Sequence, residues 1–141
     1  MIMQYTLHIS ENYYFQLEAY AEKQLPNEAV ALIFGVVSGR DVFVKRIELL
    51  KNESTSNRTS FSVNPEIQYT LLMDADNRGE SMVGIFHSHP APPKPSQSDL
   101  KNMRLNPVIW LIASKTSGEW VTKAYILEEE APVEVLIRYS T

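Results

Sequence analysis

An α/β fold of the α+β kind, a mixed β-sheet flanked by helices, is what this sequence of 141 residues predicts. Three observations predict it. The run AVALIFGVV (29–37) is dense enough in apolar residues for a strand buried on both faces. After a Ser38-Gly39-Arg40-Asp41 turn, VFVKRIELL (42–50) returns beside it, so 29–50 reads as a hairpin. Helix-start signals stand at Ser10 and at Asn64-Pro65-Glu66, each ahead of apolar residues at helical spacing.

Taken in order, residues 2–9 (IMQYTLHI) read as a short strand. Ser10 caps a helix over about 10–24, in which Tyr14, Leu17, Ala21 and Leu25 form one stripe. The hairpin 29–50 follows. Residues 51–60 (KNESTSNRTS) are polar and turn-rich, as expected for a mobile loop. The second helix runs from Pro65 to about Asn77 with Ile67, Leu71 and Ala75 inward. Met82 to His89 is a strand. The segment 90–95 is a loop, because its prolines cannot continue a sheet. A short helix runs from Ser96 to about Leu105, and 107–114 (PVIWLIAS) is a buried strand. After a turn at Thr116-Ser117-Gly118, strands are expected at 119–128 and 132–139, with Trp110 and Trp120 in the core. There is no internal repeat, and one domain over 1–141 is expected at this length.

Composition limits the chemistry. Apolar residues make up 44%, enough for a sizeable core. There is no cysteine, which removes disulfide scaffolds, thiol redox chemistry, cysteine-ligated zinc and a cysteine nucleophile. Any metal must be held by the three His and the 17 Asp and Glu. The net charge of −4 and the scattered Lys and Arg speak against a nucleic-acid binder. No apolar run approaches the roughly 18–20 residues of a membrane span. The N-terminus has no basic segment or small-residue cleavage site, so a cytoplasmic protein is expected. On that expectation the sequons Asn52-Glu53-Ser54 and Asn57-Arg58-Thr59 are chance triplets.

Two histidines sit as His87-Ser88-His89 at the end of a strand. Residues i and i+2 project from one face, about 6–7 Å apart at the backbone, so two imidazoles there can converge on a cation. Asp99, on the first turn of the next helix, can fold back as a third ligand. Two His and one carboxylate leave a fourth position for water, the catalytic type of zinc site, in which bound water is acidified. Ser96-x-x-Asp99 also fits a helix N-terminus with Ser96 as cap, and the two readings are compatible. Ser88 faces the other way and is expected to support the site by packing. His8 is expected to be a surface or strand residue rather than a ligand.

The string GIFHSHPAPPKPSQSDL resembles the JAMM (MPN-plus) metalloprotease signature of H-S/T-H-P followed by S-x-x-D. Upstream, Pro26 to Gly35 is similar to that family's strand bearing a catalytic Glu, here Glu28, with Ala31 where Gly is common. Asn52, Phe61 and Pro65 fall at the family's N…F…P positions, and the resemblance covers about 10–127. Nine residues separate His89 from Asp99, one fewer than the commonest family spacing. By its position alone Glu28 would be a solvated acid at a strand edge.

The resemblance implies a cytidine-deaminase-like JAMM fold and a Zn2+ cofactor held by His87, His89 and Asp99. It implies Glu28 as general acid/base and Ser96 as hydrogen-bond donor to the developing oxyanion. It also implies a zinc isopeptidase or peptidase cleaving after the C-terminal glycine of ubiquitin-like modifiers or sulfur carriers, of the free-standing prokaryotic type. The extended tail of such a substrate would lie along 51–63 and the 90–95 loop. The expected partners are a ubiquitin-like protein or its conjugates, with a homodimer left open and neither nucleic acid nor membrane. Two alternatives stay open: an MPN-type binding scaffold with a structural metal, and a hydrolase of a small amide or cysteine adduct on a sulfur carrier.

Overall fold

Each helix begins where a side chain can satisfy its first free amides. A computed structural model describes residues 4–56, 58 and 61–141. In it α1 (Glu11–Gln24) is capped by Ser10, whose Oγ accepts from Tyr13 N–H, and α2 (Pro65–Asn77) by Asn64, which accepts from Glu66 and Ile67. The third helix, α3 (Gln97–Leu105), starts with a reciprocal capping box between Ser96 and Asp99. The strands are β1 (Thr6–Ser10), β2 (Val30–Ser38), β3 (Asp41–Leu50), β4 (Ser81–Ser88), β5 (Ile109–Ser114), β6 (Val121–Glu128) and β7 (Ala131–Ser140). The mixed α+β class expected from the sequence is the one observed. The start of the expected first strand and the second sequon fall partly outside the described residues.

The seven strands form a closed barrel in the order β1-β3-β2-β4-β5-β6-β7. The sequence led us to expect a mixed sheet. Closure comes from β1, which pairs parallel with both β3 and β7. β2 runs antiparallel to β3 and β4, whereas β4 and β5 are parallel and joined through α3.

The apolar run of β2 is explained by burial on both faces. Ala31 and Ile33 share a cluster with Leu17 and Ala21 of α1, and Val30, Leu32 and Phe34 share another with Ala75 of α2 and Met103 of α3. Gly35 sits at a register shift between β2 and β3, where a methyl group would overlap the carbonyl of Phe43.

Four local expectations are corrected. Leu25 is not part of the buried stripe: α1 stops at Gln24, the backbone turns extended at Leu25, and that side chain is 47% exposed. Ile67 is exposed rather than inward, because α2 buries its C-terminal Ala75 and leaves its first turn outside the core. His89 lies just past the end of β4, and Trp120 just before β6, in the connection after β5. Trp110 is buried as expected, with its indole N–H donating to the carbonyl of Asn106 at 3.1 Å.

Candidate active site

The residues singled out above come together at the C-terminal ends of the parallel pair β4 and β5, where open α/β units place their ligand sites. Val30 pairs with His87, so the chain entering β2 brings Glu28 alongside the end of β4. The junction is locked by two hydrogen bonds. Ser88 N–H donates to Ala29 O at 3.1 Å, and Ala29 N–H donates to Ser88 Oγ at 2.7 Å. Ser88 therefore faces away from the histidines, as expected, and its hydroxyl extends the β2–β4 ladder. On the other flank Asn52 Nδ2 donates to Glu28 O at 2.9 Å, while its Oδ1 accepts from Ser54 N–H and Ser62 N–H. Asn52 ties the backbone of Glu28 to the segment after β3.

His87 is fully buried and is packed from two directions. Phe61 stacks on it at 5.0 Å and Trp110 meets it edge-on at 6.0 Å. Its neighbour ring, His89, is 5.5 Å away. Glu28 and Asp99 are buried against these rings. The His87 Nδ1 atom is 3.2 Å from Glu28 Oε1, His87 Nε2 is 3.0 Å from Asp99 Oδ1, and His89 Nε2 is 3.3 Å from Asp99 Oδ2. Ser96 Oγ accepts from Asp99 N–H at 3.1 Å, and Asp99 Oδ2 accepts from Ser96 N–H at 2.9 Å. The capping reading of Ser96 and Asp99 thus holds beside their place in the cluster.

The tautomers follow from the partners. His87 Nδ1 lies 3.1 Å from Ser88 O, and His89 Nδ1 lies 3.2 Å from Ala91 O. A carbonyl can only accept, so each Nδ1 carries a proton, and each Nε2 faces Asp99, where it can hold a proton or a metal ion. His87 Nε2 has no hydrogen-bond partner despite its 3.0 Å approach to Asp99. Burial alone would push the His87 imidazolium down, but Asp99 and Glu28 outweigh it and lift the pKa to about 9. Burial also opposes ionisation of Asp99, yet the two imidazoles hold it well below the usual carboxylate range. The bond to Asp99 raises His89 in turn. Carboxylates facing a buried imidazole in this way call for a shared positive charge, either a proton or a metal ion.

The donor set fits zinc. Among the described residues no three such side chains frame a ready-made metal cage. Their spacing is nevertheless near the requirement. Tetrahedral bonds of about 2.0–2.1 Å give ligand–ligand separations of about 3.3 Å. The two nitrogen–carboxylate contacts, at 3.0 and 3.3 Å, are close to that separation.

Two spaces open on the cluster. A cavity of about 40 Å3 is lined by Glu28, Phe61, His89, Ser96 and Asp99. A groove of about 160 Å3 on the other side of Glu28 and His89 is lined by Leu25, Pro26, Lys115 and Trp120. Trp120, expected in the core, is partly buried against it and also walls this groove, a second role that nothing local in the sequence signals. The Pro26 and Leu25 positions were likewise missed, since an apolar residue past a helix end carries no sign of what it faces. His8 is away from the site, stacked on Phe43 and paired with Asp41 at 2.8 Å.

Comparison with known proteins shows the family. The chain matches the family described as prokaryotic homologs of the JAB domain over residues 10–125. It is 38% identical over 99 residues to a desampylase of Pyrococcus furiosus, covering 70% of this chain and 68% of that protein. It is 28% identical over 123 residues to a Thermus thermophilus protein described as a "probable TtuB-protein conjugate cleaving protease", covering 86% and 76%. A solution structure from Desulfitobacterium hafniense, 31% identical, superposes with a TM-score of 0.82 over 95% of this chain and 92% of that one. The chain belongs to the prokaryotic JAB-domain, or JAMM, family, as its His87-Ser88-His89-Pro90 and Ser96-x-x-Asp99 pattern indicated.

Proposed function

We propose that this chain is a zinc-dependent isopeptidase or peptidase that cleaves after the C-terminal glycine of a ubiquitin-like modifier or sulfur-carrier protein. The observation that carries the reading is the meeting of Glu28, His87, His89 and Asp99, from three separate segments, in direct contact and mostly out of water. The names of two relatives, desampylase and conjugate cleaving protease, support the substrate class. We read residues 1–141 as one catalytic domain with the cytidine-deaminase-like arrangement of its family.

His87 and His89 would hold zinc through Nε2 and Asp99 through a carboxylate oxygen. When bound, zinc supplies Lewis acidity toward the scissile carbonyl and lowers the pKa of water. Glu28 accepts a proton from the attacking water and delivers it to the leaving amine, so it serves as base and then as acid. Its backbone is fixed at both sides, by Asn52 and through the Ala29–Ser88 pair, and its carboxylate is buried against His87 Nδ1 at 3.2 Å. Ser96 Oγ accepts from Asp99 N–H and so keeps its own proton for the substrate oxygen as negative charge develops there. Phe61 and Trp110 exclude water around His87. The substrate tail would lie beside 51–63, whose end reaches the cavity at Phe61.

The test combines metal content with cleavage of a ubiquitin-like fusion ending in Gly-Gly. Wild type should carry one zinc per chain and cleave the fusion in a chelator-sensitive way. Glu28→Gln should keep the metal and lose activity by about 10²–10⁴-fold, the usual contribution of a general base. Turnover of this variant at the wild-type rate would remove Glu28 from the mechanism. Zinc without turnover in the wild type would favour the scaffold reading.

A further inference from the structure

Residues 90–95 (PAPPKP) contain four prolines, so only Ala91 and Lys94 offer backbone N–H groups. A loop with so few donors must be held through its carbonyls. Two of these accept from outside the segment. Ala91 O accepts from His89, within the site itself. Pro93 O accepts from the hydroxyl of Tyr125 at 3.1 Å. The amide of Lys94 closes a turn onto Pro92 O at 2.7 Å and reaches nothing beyond the loop. Among the described residues, the Tyr125 bond is thus the tie from the middle of this loop to the barrel.

Tyr125 is well placed to serve as an anchor. It lies on β6 opposite Trp110 of β5, the residue whose ring packs on the edge of His87. Its own ring packs in the same apolar cluster as Trp110 and Ile85. Burial pushes its phenol pKa up, so the hydroxyl remains a donor through neutral and mildly alkaline pH. The loop it holds carries His89 at one end and leads into Ser96 and Asp99 at the other.

We propose that Tyr125 is a positioning residue: its hydroxyl pins the proline loop at Pro93, so that His89 and Asp99 meet already ordered for a metal ion. The proposal rests on the zinc reading given above. Tyr125→Phe keeps the ring and removes only the bond. Its dissociation constant for zinc, measured by competition with a chromophoric chelator, should rise about 2- to 12-fold, the range of one net hydrogen bond. In the metal-free protein, amide exchange at Ala91, Lys94 and Ser96 should quicken more than at core amides, while the thermal midpoint falls by no more than the few degrees that one hydrogen bond explains.

Unchanged zinc affinity overturns the proposal. So does a lowered midpoint with unchanged affinity, which would make Tyr125 a packing residue alone. If wild type binds no zinc, the functional reading falls, and the exchange comparison still decides whether Tyr125 holds the loop; unchanged exchange overturns that as well.

Discussion

Ser88 separates the two histidines, and its contribution lies on the opposite face of the strand from theirs. Its hydroxyl takes the place of a strand carbonyl as the acceptor for Ala29 N–H, one residue from Glu28. The site is 2% exposed, so water cannot substitute. Ser88→Ala should lower unfolding stability by about 1–3 kcal/mol, the penalty for a buried amide left without a partner. A urea midpoint equal to that of wild type would mean that the chain relaxes enough to satisfy this amide elsewhere. Gly35 shows the same dependence on a single atom, since the backbone of β3 leaves no space for a Cβ there.

At the scale of elements, the site is the junction of β2, β4 and α3, and its precision comes from how each of them ends. The capping box that starts α3 also holds Asp99 by its amide and fixes one of its carboxylate oxygens. Ser96→Ala should therefore have two consequences. Helix stability should fall by about 0.5–2 kcal/mol, as for other N-cap losses. Zinc should bind more weakly, because the Asp99 turn is no longer fixed. Ser98→Ala, in the same first turn but outside the capping box, is the control. Equal zinc affinity in both variants would show that Asp99 is held in place without the cap.

For the whole molecule, closure of the barrel through β1 joins the two ends of the chain, and the ladder from Thr6 pairing with Leu136 to Ser10 pairing with Ser140 makes that joint. A metal that binds only this folded arrangement adds stability by mass action, about 2.7 kcal/mol at a free concentration 100 times its dissociation constant. Stripping the protein with a chelator should lower its thermal midpoint by several degrees, and zinc should restore it in a concentration-dependent way. A midpoint that does not respond to zinc would mean that His87, His89 and Asp99 hold no metal in the folded chain.

Much of this was legible along the chain because the relevant physics is local. A capping residue three positions from its amide, the period of two that puts His87 and His89 on one face, and the apolar density of β2 are all short-range patterns. They placed the helix starts at Ser10, Asn64 and Ser96 and brought the candidate ligands to a strand end and a helix start. Side-chain fate beyond the ends of elements was not legible. Leu25 looked like core and instead walls a groove, Trp120 packs on the core and also lines that groove, and Ile67 looked inward and faces water. The barrel's closure by β1 and β7, the Ala29–Ser88 lock and the Tyr125–Pro93 tie join residues far apart in sequence. Hydrophobic pattern reports which groups must leave water; it does not say which distant group they will meet. The sequence by itself therefore determined the element types and pointed to the residues that meet at the candidate site. The tertiary structure alone decided how that set is aligned, because its register depends on contacts between strands that no local periodicity encodes.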